Sequence, residues 1–545
     1  MVENRLLSSL EKVFLDEIPQ APVLSRASML RGEVYSLQWA LRSTQTRLTG
    51  LHVNVEGSLS PFVKLWNVHV VPVELPVYPD HDGFVLRDTP GLYPDLLEPI
   101  PEQGFILLPD QWRSVWISLR PDADVPAGEH VLRLKLQDAS GTILADAQFT
   151  VELLPLELPS QTLRHTQWFH SDCIADFYGF EVFSEPYWQR VEQFMTMAVE
   201  HGINMILTPI FTPPLDTAVG GERTTVQLVD VTKQGDSYSF GFDRLTRWIN
   251  MARRIGVEFF EFAHLFTQWG AKHAPKIMGR ENGEEVKLFG WDTDAAGPEY
   301  AQFLDQFLPA LVAYIQGQGL SQHSYFHISD EPQLEDLESY GKARDMIHRH
   351  LRDFPIMDAL SNFEFYETGL VQTPIPANNH IEPFLAAGIP NLWTYYCISQ
   401  YKKVSQRFVC MPSMRNRVLG CQLFKYNIKG FLHWGYNYYN SQYSLQGVNP
   451  FRFLDGLHWS PAGDTFLVYP GPDGPLASLR LKVFHEGLQD LRAMQLLASF
   501  TSHDAVVNLL EDELAQPLTF SDYPRDTQWL LAVRERVNAA LRRYC

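Results

Sequence analysis

The stretch Tyr325-Phe326-His327-Ile328-Ser329-Asp330-Glu331-Pro332 reads as a short, mostly apolar strand that stops on two neighbouring acids and a proline. Proline has no N–H to offer a sheet, so the ladder ends there. On both sides the chain alternates strand with helix. Upstream, an aromatic-rich strand at 164–170 leads to a helix starting near Pro186, with Trp188, Val191, Met195 and Ala198 on one face and Gly202 at its end. Strands at 203–207 and 257–264 follow, separated by an inserted hairpin or loop at 222–240 and a helix striped by Leu245, Trp248, Ile249 and Ala252. A helix at 299–317 precedes the quoted strand and another begins near Leu334. Further strands fit at 356–360, 372–375, 391–396 and 430–434. About eight such units predict a parallel sheet closed into a (β/α)8 TIM barrel over residues 159–462. An open doubly wound sheet fits less well, because no glycine-rich turn follows the first strand.

The flanks differ from this middle. Residues 1–158 read as an antiparallel β-sandwich: Leu132, Leu134 and Leu136 alternate with Arg133, Lys135 and Gln137, and Phe149, Val151 and Leu153 share a face after the turn at Ala139-Ser140-Gly141. Prolines 72, 76, 79, 90 and 94 predict surface loops, and Leu154-Pro155-Leu156-Glu157-Leu158-Pro159 marks the boundary as poor material for an inner strand. Residues 463–545 predict a small region with a strand at 466–469, a turn at Pro472-Asp473-Gly474, and helices near 477–499 and 526–543; the first of these shows no single apolar stripe.

Composition narrows the partners. The chain has 545 residues and a formal net charge of −20, with no basic run to offset it, which disfavours nucleic acid and anionic membranes. Five cysteines, an odd number without a Cys-x-x-Cys pair, argue against a disulfide framework or a thiolate zinc site. The first dozen residues lack the basic and apolar blocks of a signal peptide, which predicts a cytoplasmic protein or a secreted one already trimmed. The sequence leaves the oligomeric state open, a homo-oligomer included.

Strand ends of a barrel face its active site, so Asp330 and Glu331 become candidate catalytic groups. The plainer reading is a helix cap, since acids and proline both favour a helix N-terminus. Their adjacency carries a mechanistic clue. Retaining glycosidases usually set an acid and a nucleophile about 5 Å apart across the scissile bond, which sequence neighbours cannot easily do. The difficulty goes if the sugar supplies its own nucleophile, a 2-acetamido carbonyl that forms an oxazolinium ion. Asp330 then orients the acetamide N–H, and Glu331 protonates the leaving oxygen and later activates water, for which its pKa must be raised.

Aromatic strand ends suit a sugar: Trp168 on the first strand, Trp393 and Tyr395 on another, and Trp434, Tyr436 and Asn437 on the last are candidate substrate-binding residues, with His264 as a hydroxyl contact. Core packing is the plainer fate for most of them in a chain that is 13% aromatic. No His-x-His or His-Glu-x-x-His spacing occurs, so no metal is expected. Neither nucleophile elbow, P-loop nor dinucleotide fingerprint is present, so no cofactor is expected. Glu486 and Asp490 share a helical face and are read as a structural anchor.

The Phe-His-Ile-Ser-Asp-Glu-Pro segment resembles the acid pair of glycoside hydrolase family 123 and of the related domain-of-unknown-function 4091 proteins. Residues 6–14, residues 264–270 (His-Leu-Phe-Thr-Gln-Trp-Gly), and the tail from Gly463 through Tyr469-Pro470-Gly471 to residues 486–490 also match in order. The resemblance implies a β-sandwich before a barrel and an exo-acting, retaining, substrate-assisted β-N-acetylgalactosaminidase, with Asp330 orienting the acetamide and Glu331 as general acid/base. A β-N-acetylglucosaminidase, or a carbohydrate-binding protein that no longer catalyses, are the alternatives. The partner in each case is a glycan bearing an N-acetylhexosamine.

Overall fold

The computed structural model describes residues 1–545. Its first part consists of two five-stranded sheets. One runs, in spatial order, Val2–Ser8, Tyr35–Ser43, Trp112–Leu119, Val63–Val73, Gly91–Pro99; the other Arg26–Arg31, Ile143–Glu157, Gly128–Gln137, Leu48–Glu56, Phe105–Leu107. Leu132, Leu134 and Leu136 pack with Phe149, Val151 and Leu153 and with Leu37, Trp39 and Leu41 of the facing sheet in one apolar core, as the alternation predicts. Three prolines behave differently from expectation. Pro72 and Pro94 lie inside paired strands, and the strand Ile143–Glu157 runs through Pro155. Each is tolerated where a missing N–H costs little: Gly91–Pro99 is an edge strand, Pro72 lies beyond the stretch paired to Trp112–Leu119, and Pro155 falls where the ladder to Arg26–Arg31 shifts register.

The middle of the chain is mixed α/β. Eight short strands carry it: β1 (Arg164–Gln167), β2 (Met205–Thr208), β3 (Phe259–Phe262), β4 (Ser324–Phe326), β5 (Met357–Ala359), β6 (Thr373–Ile375), β7 (Trp393–Tyr395) and β8 (Gly430–His433). Six form a parallel half-barrel sheet ordered β4-β3-β2-β1-β8-β7, and β5 and β6 pair with each other. Single parallel bridges, Phe326 to Ile356 and Ala377 to Tyr395, span the gap on either side of that pair. The loops after β2 and β3 each contribute a hairpin to a separate four-stranded sheet, Asp230–Gln234 with Ser237–Gly241 and Ile277–Glu281 with Glu284–Phe289. The second hairpin turns on Asn282-Gly283, both at positive φ, a turn signal overlooked in the sequence. Helices Ser171–Tyr178 and His503–Glu511 were likewise unanticipated.

The tail helix Leu479–Phe500 is buried on most of its faces as far as Leu497, within the same apolar cluster as the parallel sheet, which explains its missing stripe. No helix is long and apolar enough to cross a membrane.

Candidate active site

The ladder of β4 ends at Phe326, so residues 327–332 leave the sheet and cross its C-terminal mouth. Other groups hold this segment. Asp358, on β5, accepts hydrogen bonds from the Ile328 N–H at 3.2 Å and from the Tyr340 hydroxyl. The Asp330 carbonyl accepts from the Trp269 N–H (2.9 Å), and the Glu331 N–H donates to the Ala359 carbonyl (3.0 Å). Glu331 itself is forced to φ +43°, a left-handed conformation that costs a non-glycine residue about 1–2 kcal/mol. Capping of the following helical turn falls to Gln333 and Asp336, which form a reciprocal capping box, so neither acid is needed there.

Both carboxyls face one cavity of about 170 Å³, walled by Trp168, Trp269, Tyr395, Trp434, Tyr443 and Trp459. The Asp330 carboxyl makes neither an ion pair nor a side-chain hydrogen bond within the protein. Glu331 Oε1 accepts from the Tyr395 hydroxyl at 2.6 Å, with the Cys397 thiol 3.9 Å away. Burial, and then the charge of Glu331, push Asp330 well above the usual carboxylate range, and the imidazolium of His327 opposes the shift. Burial also raises Glu331, and the bond from Tyr395 pulls it part of the way back. Ionising both acids together in the empty cavity is therefore disfavoured by burial and by the charge of Glu331 on Asp330.

Beneath them lies a buried polar relay. His327 Nε2 meets Glu261 at 2.6 Å and its Nδ1 meets Asp358 at 3.0 Å. Burial alone would strip its proton, but the two carboxylates outweigh burial and raise the pKa to about 10. Glu261 also accepts from the Trp168 indole (2.7 Å), fixing that ring against the cavity. On the far side Asp464 accepts from the Trp434 indole (2.6 Å) and from His433 Nε2 (3.1 Å).

His264, His327 and Asp358 bring three donor atoms within 4.8 Å of one another. Their geometry does not suit a metal: the imidazoles of His264 and His327 stack at 4.2 Å and 20°, so their lone pairs lie in separate, nearly parallel planes and do not converge, and both nitrogens of His327 are already taken by Glu261 and Asp358.

Of the residues nominated from sequence, Asp330, Glu331, Trp168, Tyr395 and Trp434 line the cavity. Four do not. Trp393 is on the face of β7 that carries Tyr395, but two residues earlier, about 7 Å deeper by strand rise, where it lies over Gly430. Tyr436 stacks on Phe169 and donates to the Phe194 carbonyl behind the sheet. Asn437 clasps the backbone of His170, at 2.8 and 3.0 Å. His264 packs behind Trp168, edge to face at 5.2 Å, with both nitrogens unpartnered. Asp216, Gln268, Trp269, Cys397, Tyr443 and Trp459 line the cavity without having been nominated. Gln268 and Trp269 lie within the 264–270 segment quoted above, so the loop was legible although its working side chains were not.

A family model described as the glycoside hydrolase 123 catalytic domain matches residues 168–497. No curated protein matches the chain. Among solved structures, a family 123 glycoside hydrolase from Clostridium perfringens, described for its hydrolysis of glycolipid glycans, superposes with a TM-score of 0.76 at 14% identity, covering 100% of this chain and 98% of that one. An endo-β-1,4-mannanase from Thermotoga petrophila (TM-score 0.35, 12% identity, 61% of this chain and 77% of that one) and a β-glucuronidase from Parabacteroides merdae (0.30, 10%, 90% and 51%) overlap too loosely to argue from.

Proposed function

The chain belongs to glycoside hydrolase family 123 and is a glycosidase, and from that premise we propose that it releases terminal β-linked N-acetylgalactosamine with retention, through an oxazoline formed by the sugar's own acetamide. The observation that carries this reading is the neighbouring pair Asp330 and Glu331 presenting both carboxyls to one aromatic-walled cavity, free of any ion pair or cap. In this reading the eight strands are a closed (β/α)8 barrel in residues 159–462, preceded by a β-sandwich in 1–158 and followed by the helical tail in 463–545.

The protonation states then follow from the substrate. In the empty cavity burial raises both acids, and the charge of Glu331 raises Asp330 as well. An acetamide N–H donated to Asp330 favours its anion, and that charge in turn favours the protonated form of Glu331. Attack of the acetamide oxygen on the anomeric carbon breaks the glycosidic bond as Glu331 gives its proton to the leaving oxygen. Asp330 stabilises the positive charge spreading onto the amide, and Glu331 next takes a proton from water as the water opens the oxazoline. Trp168 and Trp434, each fixed through its indole N–H to a buried carboxylate, wall the sugar.

Nitrophenyl β-glycosides of N-acetylgalactosamine, N-acetylglucosamine and galactose test the reading. N-acetylgalactosamine is expected to be released fastest and galactose hardly at all. Comparable release of galactose would exclude acetamide participation and turn attention to Asp216, the remaining carboxylate on the cavity wall, as a protein nucleophile.

A further inference from the structure

The N-terminal sandwich does not keep its interior apolar to the end. Reading back along Trp112–Leu119, Leu119, Ile117 and Val115 face the core, and the next residue on that face is Arg113, opposite Leu41. On the neighbouring strand Val63 and Leu65 pack on the same core, but Asn67 and His69 follow them on that face, with Asn67 between Val115 and Glu98. Polar side chains on a core face are costly unless water or a ligand reaches them. A cavity of about 710 Å³ opens over these, within the roughly 300–1,000 Å³ of small-molecule sites. The facing sheet bounds it with a bulge. The pairing of Leu48–Glu56 with Phe105–Leu107 shifts between Leu48 and Leu51, and the displaced Thr49 and Gly50 line the cavity. Gly104, at φ +79°, packs so closely on this bulge that a Cβ would fall 2.6 Å from the Leu51 carbonyl oxygen.

The lining has the chemistry of an oxyanion site. Arg113 lines the cavity outside any ion pair, and its Nε is buried without an acceptor. Burial pulls its pKa down, and no carboxylate opposes the shift. Arg47, solvent-exposed, is a second cation, against the single carboxylate of Glu98, which is committed to His69 at 3.0 Å. This excess of cation occurs in a chain of net charge −20, whose buried Arg223 and Arg417 are each matched by acids. A guanidinium without a partner suits the paired oxygens of a carboxylate or sulfate. Pro99, Pro101 and Ile106, the last 45% exposed, add an apolar stretch, and Asn67 and Gln103 add amides. That mixture suits a pyranose, which has an apolar face and a rim of hydroxyls.

We propose that this end of the sandwich is a second, non-catalytic saccharide site that selects sugars bearing a carboxylate or a sulfate, with Arg113 taking the oxyanion. It shares no residue with the cavity of Asp330 and Glu331. It therefore holds an acidic glycan without taking part in bond cleavage, and does not depend on how that other cavity works.

Calorimetric titration of the full chain at low ionic strength tests it, on wild type, Arg113→Met and Glu331→Gln. The probes are glucuronic acid and galactose 6-sulfate, their neutral counterparts glucose and galactose, and inorganic sulfate. Wild type is expected to bind at least one acidic sugar about ten-fold more tightly than its neutral counterpart, the scale of one charge-assisted hydrogen bond. Arg113→Met is expected to lose that advantage and Glu331→Gln to keep it. Methionine keeps the packing of the arginine stem and removes an unsatisfied group, so the melting temperature and the release of nitrophenol from the N-acetylgalactosaminide are expected to stay unchanged. The preference between the two acidic sugars identifies the oxyanion, and binding of neither would overturn the site. So would an advantage that survives Arg113→Met or disappears in Glu331→Gln. Inorganic sulfate binding as tightly as the preferred acidic sugar would mean an anion hole that reads no sugar, and would equally overturn it. If Arg113→Met fails to fold, Asn67→Asp, which adds a negative charge to the same wall with little change of shape, must lose the advantage instead.

Discussion

One acid pair in this molecule is buried and another lines an open cavity, and the chain treats them in opposite ways. Glu486 and Asp490, one turn apart on the tail helix, meet Arg417 at 2.8 and 2.7 Å, and Arg534 links Asp490 (3.2 Å) to Glu33 (2.7 Å), in the turn between two strands of the N-terminal sheets. The carboxyls of Asp330 and Glu331 meet no cation; only the Tyr395 phenol and, more distantly, the Cys397 thiol reach that of Glu331. A buried charge without a counter-charge costs several kcal/mol, so a protein either neutralises it with arginine or leaves it protonated. The first solution makes a clamp that ties the tail to the N-terminal sheets. The second keeps a transferable proton beside a cavity, which a clamp cannot do.

The contrast breaks if the pairs exchange roles on mutation. Glu331→Gln is expected to lower kcat on an N-acetylgalactosaminide about 10³-fold, the scale of a lost general acid, without lowering the melting temperature. Arg417→Met is expected to cost about 3 kcal/mol in a denaturant melt, because it strips the main counter-charge from Glu486 and Asp490, while kcat per folded molecule is kept. A stable but inactive Arg417 variant, or an unstable Glu331 variant, would dissolve the distinction.

The pH dependence sharpens it. Asp330 is raised in the folded state by burial and by Glu331, so above its ordinary value of 3.8 the unfolded chain loses a proton that the folded one keeps. Such a group subtracts stability as pH rises. Asp330→Asn cannot ionise, so its stability relative to wild type is expected to grow from pH 4 upward, reaching about 1 kcal/mol at neutral pH, the usual gain from relieving one unfavourable site. Glu486 follows the same sign: burial raises it to about 7 even against Arg417, so its penalty develops between 4.5 and about 7. Urea midpoints of wild type and Asp330→Asn across that range provide the check, and a difference that shrinks with rising pH would contradict the assignment.

Much of this was readable beforehand because it rests on periodicity. Strand-then-helix order, the alternating leucines at 132–136 and the acids following β4 are local patterns, and local patterns survive folding. Depth does not show in such patterns. Trp393 and Tyr395 share a strand face, yet one fills the interior and the other touches Glu331, since what separates them is height along the strand. Loop residues were harder still. Asp216, Gln268 and Tyr443 come from loops following three different strands, and only hydrogen bonds across those loops bring them together. The prolines at 72, 94 and 155 misled for a related reason: whether a missing N–H matters depends on the neighbouring strand, which the sequence does not display.

The smallest effect is expected at His264, where the same principle applies to a neutral group. Its ring is buried, uncharged at neutral pH because burial and the adjacent imidazolium hold its pKa well below 6.5, and unpartnered at both nitrogens. His264→Phe removes those two unsatisfied atoms and still offers an aromatic face to the His327 imidazolium, a favourable cation–π contact. Stability is therefore expected to change by less than about 1 kcal/mol, in either direction, as the added ring volume offsets the relieved polar atoms. Activity is expected to persist, since His264 reaches the cavity only through Trp168. Loss of activity with unchanged folding would mean that His264 contacts the sugar after all, and loss accompanied by release of a bound metal would overturn the argument that the stacked rings cannot converge on an ion.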